Sequence, residues 1–199
     1  MRATIKHELG HAVVGDVLGL GFQGILLDNR LADETEFPEL AAMNVCMLGG
    51  STHFGPWWHS DDATHTMALP GKADAVACTA VAGVVCELTL SGRGVDVETF
   101  LPIMRQYRNT HDVTIFSKAV KAQLTGELAA PYVARARAII DNQREAILRA
   151  VEQVAQHVCD VDAGPGLGLP LPYEIPRTVY PDGLGRDGYR RGGVADAAP

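Results

Sequence analysis

Apolar residues recur at helical spacing over residues 2–18, where Ile5, Leu9, Ala12, Val13, Val14, Val17 and Leu18 leave little polar surface. A helix that is apolar nearly all round belongs in a core. The pattern therefore predicts a buried first helix, broken by Gly19, Gly21 and Gly24. The apolar run 22–27 fits a strand. An acidic stretch follows, in which Asp28, Asp33, Glu34, Glu36 and Glu39 surround a single arginine, and it reads as a solvated loop. Residues 40–48 fit helix or strand equally and end at Gly49 and Gly50, after which 51–58 fit a second strand that Pro56 confines to a sheet edge.

Past the turn at Pro70 and Gly71, an Ala-rich helix is expected over 73–90. Its most apolar part, 75–86, falls short of the roughly 18 residues of a membrane span, so it reads as a tightly packed core helix. Residues 95–107 and 112–124 are further helical segments, the first with Pro102 in its early turns. The strongest pattern is one long helix over 131–158, with Tyr132, Ala136, Ile139, Ile140, Ile147, Val151 and Val154 set against Arg135, Arg137, Arg144, Glu145 and Glu152. Pro131 suits its first turn. Beyond residue 160 the text becomes Gly- and Pro-rich and buries too little apolar surface to offset its ordering entropy. The expected organisation is a mainly α (α+β) domain over 1–160 and a flexible tail over 161–199.

Composition narrows the function. With 47% hydrophobic residues in 199, the chain can bury one core. A net charge of -7 argues against nucleic acid, whose phosphates call for clustered Lys and Arg. The first residues lack the apolar centre of a signal peptide, so a cytoplasmic protein is expected. Cys46, Cys78, Cys86 and Cys159 form no C-x-x-C pair, and Cys78 and Cys86 lie eight apart on one helix, too far to bond. They read as buried free thiols.

The most specific chemistry lies in the first helix, at His7-Glu8-Leu9-Gly10-His11. Residues four apart share a helix face, so both imidazoles can hold one Zn²⁺. Glu8 points to the neighbouring flank, where its carboxylate can reach a water at the ion's open position, a water whose pKa zinc lowers toward about 7. Gly10 and Gly15 each cost about 1 kcal/mol of helix propensity relative to Ala, so something else must favour small side chains there, and close packing around a metal site is a candidate. His53, His59 and His65, with Asp61 and Asp62, have spacings that fit neither a helical nor a tight-loop metal pair, and they read as loop residues beside the cleft.

The run His-Glu-Leu-Gly-His-Ala-Val-Val over 7–14 resembles the zinc helix of FtsH-type metalloproteases, usually HEAGHAVV, with Leu9 the one departure. Residues 132–148 are similar to a late helical segment of that family, and 81–88 are a looser echo of its GGRAAEEL helix, lacking the Arg and one Glu. The resemblance covers about residues 2–157 and implies a helical zinc-peptidase domain with a small β-sheet beside the active-site helix. It also implies an aspartate as third ligand, placed before a hydrophobic residue at a helix start. Asp112 is the best match, Asp96 the competitor, and helix capping the alternative role for Asp112. Glu87 is a further candidate, either as ligand or as a partner that supports a histidine.

The family carries an ATPase module ahead of the peptidase domain, yet six residues precede His7 and no G-x-x-x-x-G-K-[ST] loop occurs. The expectation is a zinc endopeptidase that works without ATP as a single chain on exposed or unfolded polypeptide, as a homo-oligomer or with a separate unfoldase. The alternative is a non-catalytic or regulatory zinc-binding module that engages a protein partner.

Overall fold

A computed structural model describes residues 2–31, 46–54, 71–106, 110–162 and 173–175. The elements in chain order are α1 (Arg2–Val17), β1 (Phe22–Leu31), β2 (Cys46–Phe54), α2 (Lys72–Leu90), α3 (Val97–Met104), α4 (Thr110–Val120), α5 (Gly126–Asn142), α6 (Arg144–Asp162) and β3 (Tyr173–Glu174). The fold is mainly helical, as the hydrophobic pattern predicted.

Helices α1 and α2 form the centre. Ile5, Leu9, Ala12, Val13 and Val14 of the first are buried against Ala75, Ala77, Cys78, Ala82, Val85 and Cys86 of the second and the elements around them. The two axes approach closely because of Gly10: a methyl at that position would lie 2.5 Å from Cys86 Cβ and 2.6 Å from Ala82 O. The helix-propensity cost of Gly10 thus has a packing cause. Helix α2 is long and apolar enough to cross a membrane by length and composition, but 78% of that stretch is buried within the fold. Cys78 and Cys86 lie in this interior as free thiols, and burial pushes the Cys78 thiol up to about 12. The side chains of Cys46 and Cys159 lie outside the described residues.

Among the described residues, three strands form one sheet, in the order β2-β1-β3, with both pairings antiparallel. It packs on α1, where Phe54 of β2 fills the space over Gly15 and a Cβ would come within 2.3 Å of its ring. Two sequence expectations are corrected here. Strand β1 runs on through Asp28 to Leu31 instead of yielding to loop after 27, and Gly49 and Gly50 do not end an element but sit inside β2, opposite Asp28 and Leu27. Pairing with a neighbouring strand supplies hydrogen bonds that outweigh the poor intrinsic preference of Gly for a strand. The remainder of the acidic stretch, with Asp33, Glu34, Glu36 and Glu39, and the span 55–70 lie outside the described residues.

The long helix expected over 131–158 is two helices. The first starts at Gly126, capped by the Thr125 side chain on Leu128 N at 3.2 Å, so Pro131 lies in the second turn rather than the first. It ends at Asn142, and Gln143 separates it from α6. Helix α5 packs mainly on α2 and also touches α1, whereas α6 packs on α1. Within the segment expected to be a flexible tail, Tyr173–Glu174 adds to the β1 edge opposite Leu27 and Leu26, and Ile175 is buried, with its N–H on Ile25 O at 3.0 Å.

Candidate metal centre

His7 and His11 project from one face of α1, with ring centroids 4.7 Å apart and planes near perpendicular. Helix α4 brings Asp112 to them. Its carboxylate Oδ2 lies 3.1 Å from His7 Nε2 and 3.5 Å from His11 Nε2, and one ligand atom from each of the three residues falls within 4.8 Å of the others. Asp112 reaches this position from the first turn of α4, where a carboxylate also suits the positive end of the helix dipole. One turn later Phe116 is fully buried and meets Tyr132 of α5 edge-on at 5.4 Å, and Tyr132 in turn holds Asp74 of α2 through a 3.1 Å hydrogen bond. The aspartate is therefore carried on a helix whose packing is fixed.

The stripe Thr79, Gly83 and Glu87 of α2, spaced by four, faces the two rings. His7 Nδ1 lies 2.7 Å from Glu87 Oε1, and His11 Nδ1 lies 2.7 Å from the Thr79 carbonyl oxygen. Both neighbours accept, so each Nδ1 donates its proton outward and each Nε2 faces Asp112. Between them lies Gly83, where a Cβ would stand 2.5 Å from His7 Nε2 and 2.6 Å from His11 Nε2. The rings occupy the place where any other residue would carry its side chain. Glu87 is thus an orienting partner of His7, whereas Asp96 caps α3 by accepting from Thr99 N at 2.7 Å and is exposed, remote from the histidines in role.

Electrostatics match this geometry. With neutral rings, two Nε2 lone pairs and a carboxylate would confront one another in a largely buried space, which requires a positive species among them. In the metal-free chain protons fill that role. Burial alone would lower the His7 pKa, but hydrogen bonds to Asp112 and Glu87 outweigh it and raise it to about 10. His11 is raised as well, against its burial, chiefly by the Asp112 charge. Burial works to raise Asp112, yet the His11 charge, with hydrogen bonds to both rings, holds its carboxyl well below the usual range. A divalent cation would satisfy the same charge, and the donor set of two imidazoles and a carboxylate around a glycine cradle can hold one.

Glu8 lies in the buried flank next to His7. Its Oε2 accepts from Thr52 Oγ1 of β2 at 2.8 Å, and the same hydroxyl is 2.8 Å from Glu8 O. Thr52, Thr79 and Gly83 were not singled out in the sequence. The period of four through Thr79, Gly83 and Glu87 was a usable signal, but the role of Thr52 had none, because it depends on strand register. His59, His65, Asp61 and Asp62 and the side chain of His53 lie outside the described residues. No protein-family model matches this chain, and neither curated proteins nor solved structures give a match.

Proposed function

We propose that this chain is a zinc-dependent endopeptidase that hydrolyses exposed or unfolded polypeptide. One observation carries the reading: two imidazoles four apart and a distant aspartate converge on one point, with a buried glutamate immediately after the first imidazole. His7, His11 and Asp112 would hold the ion, a set of three protein ligands that leaves a position open, as catalytic zinc sites do. Bound zinc would supply Lewis acidity, polarising a peptide carbonyl and making water a better nucleophile near neutral pH.

The remaining work falls to the side chains. Glu87 and the Thr79 carbonyl fix both rings with Nε2 inward. Glu8 takes the proton from the water that attacks the scissile carbonyl, then delivers it to the departing amine. Strand β2 is an edge of the sheet among the described residues and packs on α1, so its outer backbone groups suit an extended substrate added as a further strand.

The experiment is casein cleavage by zinc-loaded protein, with and without a chelator, for wild type and Glu8→Gln. The wild type should give chelator-sensitive fragments. Glu8→Gln should keep one zinc per chain and lose activity by about 10²–10⁴-fold, the usual contribution of a general base. Normal cleavage by a zinc-loaded Glu8→Gln variant would refute the assignment of the base.

A further inference from the structure

We propose that Thr52 is the positioning residue for the general base, fixing which carboxylate oxygen of Glu8 meets the water. The inference rests on the peptidase reading and extends it to a residue outside the motif. Its basis is one hydroxyl with two contacts to one residue: Thr52 Oγ1 lies 2.8 Å from Glu8 Oε2 and 2.8 Å from Glu8 O.

Strand register puts the hydroxyl there. Thr52 pairs with Ile25 of β1, and Phe54, two residues on, lies on the same strand face and packs over Gly15. Glu8 and Gly15 are seven residues apart, two helical turns, and so share a face of α1. Strand β2 is therefore docked on α1 at two points, one apolar and one polar. A slip of one residue would turn both side chains away.

The consequence for Glu8 is selective. With Oε2 tied to Thr52, the other carboxylate oxygen is the one left to take a proton from water. A hydroxyl has one proton and two lone pairs. It donates to Oε2 while Glu8 is ionised. When Glu8 holds the proton taken from water, that proton sits on the other oxygen, and Oε2 still accepts from Thr52 with no heavy atom displaced. A carboxylate on a flexible stem is thereby held in one place through both halves of the reaction, whereas an error of about 1 Å in such a group can cost about 10²-fold in rate.

The test compares wild type, Thr52→Val and Thr52→Ser as full-length, zinc-loaded chains on an unfolded casein substrate, with zinc stoichiometry and thermal unfolding measured alongside. Thr52→Val should lower kcat by about 10- to 100-fold, with KM within about twofold and one zinc retained, and Thr52→Ser should recover kcat to within about threefold. Wild-type kcat in Thr52→Val, or equal impairment of the Val and Ser variants, would overturn the proposal. Failure of the peptidase reading looks different, since the wild type itself would then show no chelator-sensitive cleavage. In that event the contact is decided by Tm for Thr52→Val, Glu8→Ala and the double variant. Losses that are less than additive support the Thr52–Glu8 contact, and additive losses overturn it.

Discussion

Replacing Gly83 by alanine should separate folding from metal binding. In an ordinary helix the change stabilises by about 1 kcal/mol. Here the added methyl would lie 2.5 Å from His7 Nε2, 2.6 Å from His11 Nε2 and 2.6 Å from His7 Cε1. Non-bonded atoms settle nearer about 3.5 Å, so the rings must retreat by about 1 Å. Overpacking of this kind costs about 1–3 kcal/mol, partly offset by the propensity gain, which leaves a net loss of at most about 2 kcal/mol. The fold should survive. Zinc binding should not, because ligand distances tolerate only about 0.2 Å. We expect affinity to fall by at least about 100-fold, the upper end of what disturbing the surroundings of a ligand costs. A 100-fold weaker site removes about 2.7 kcal/mol of zinc-linked stabilisation. At about 2–4 °C per kcal/mol for a chain of this size, the rise in Tm on adding zinc should shrink by about 5–11 °C. The assay is differential scanning fluorimetry with and without zinc, backed by metal analysis after dialysis. An unchanged zinc-induced shift with one zinc still bound would refute the cradle.

Two further outcomes follow from the same geometry. Asp112→Asn should abolish stoichiometric zinc binding while Asp96→Asn leaves it at one per chain, measured by metal analysis, because Asp112 faces both rings and Asp96 only caps α3. Zinc retained by Asp112→Asn would sink the ligand assignment. In the metal-free chain, His7 is raised to about 10, so its protonated form contributes stability that is complete below about pH 6.5 and fades as pH rises through about 10. Asp112 is depressed, so its contribution is present above its ordinary 3.8 and is lost as pH falls through its folded-state value. Metal-free Tm should therefore decline from about pH 6.5 toward 10, while stabilisation by added zinc grows as the ion displaces protons from the imidazoles. A metal-free Tm that climbs through that interval would contradict the picture.

The hydrophobic pattern located α1 and α2 closely because each is buried on nearly every side, and continuous burial leaves a plain trace in the chain. The same reasoning failed at Gly49 and Gly50, where pairing with β1 decides, and at Gln143, where one amphipathic pattern divides into α5, packed mainly on α2, and α6, packed on α1. Both decisions are made by neighbours distant in sequence.

For the candidate site, the sequence by itself determined the pair His7 and His11 and the place of Glu8, since the helical repeat alone puts side chains four apart on one face. It left Asp112, Asp96 and Glu87 as rivals, because a carboxylate caps, pairs or ligates according to what stands opposite it. Only the tertiary structure decided among them, by setting α4 across from the two rings, laying the Thr79, Gly83 and Glu87 stripe behind them, and docking Thr52 of β2 onto Glu8. Contacts across 44 to 105 residues leave no local periodicity, so nothing short of the folded chain could rank them.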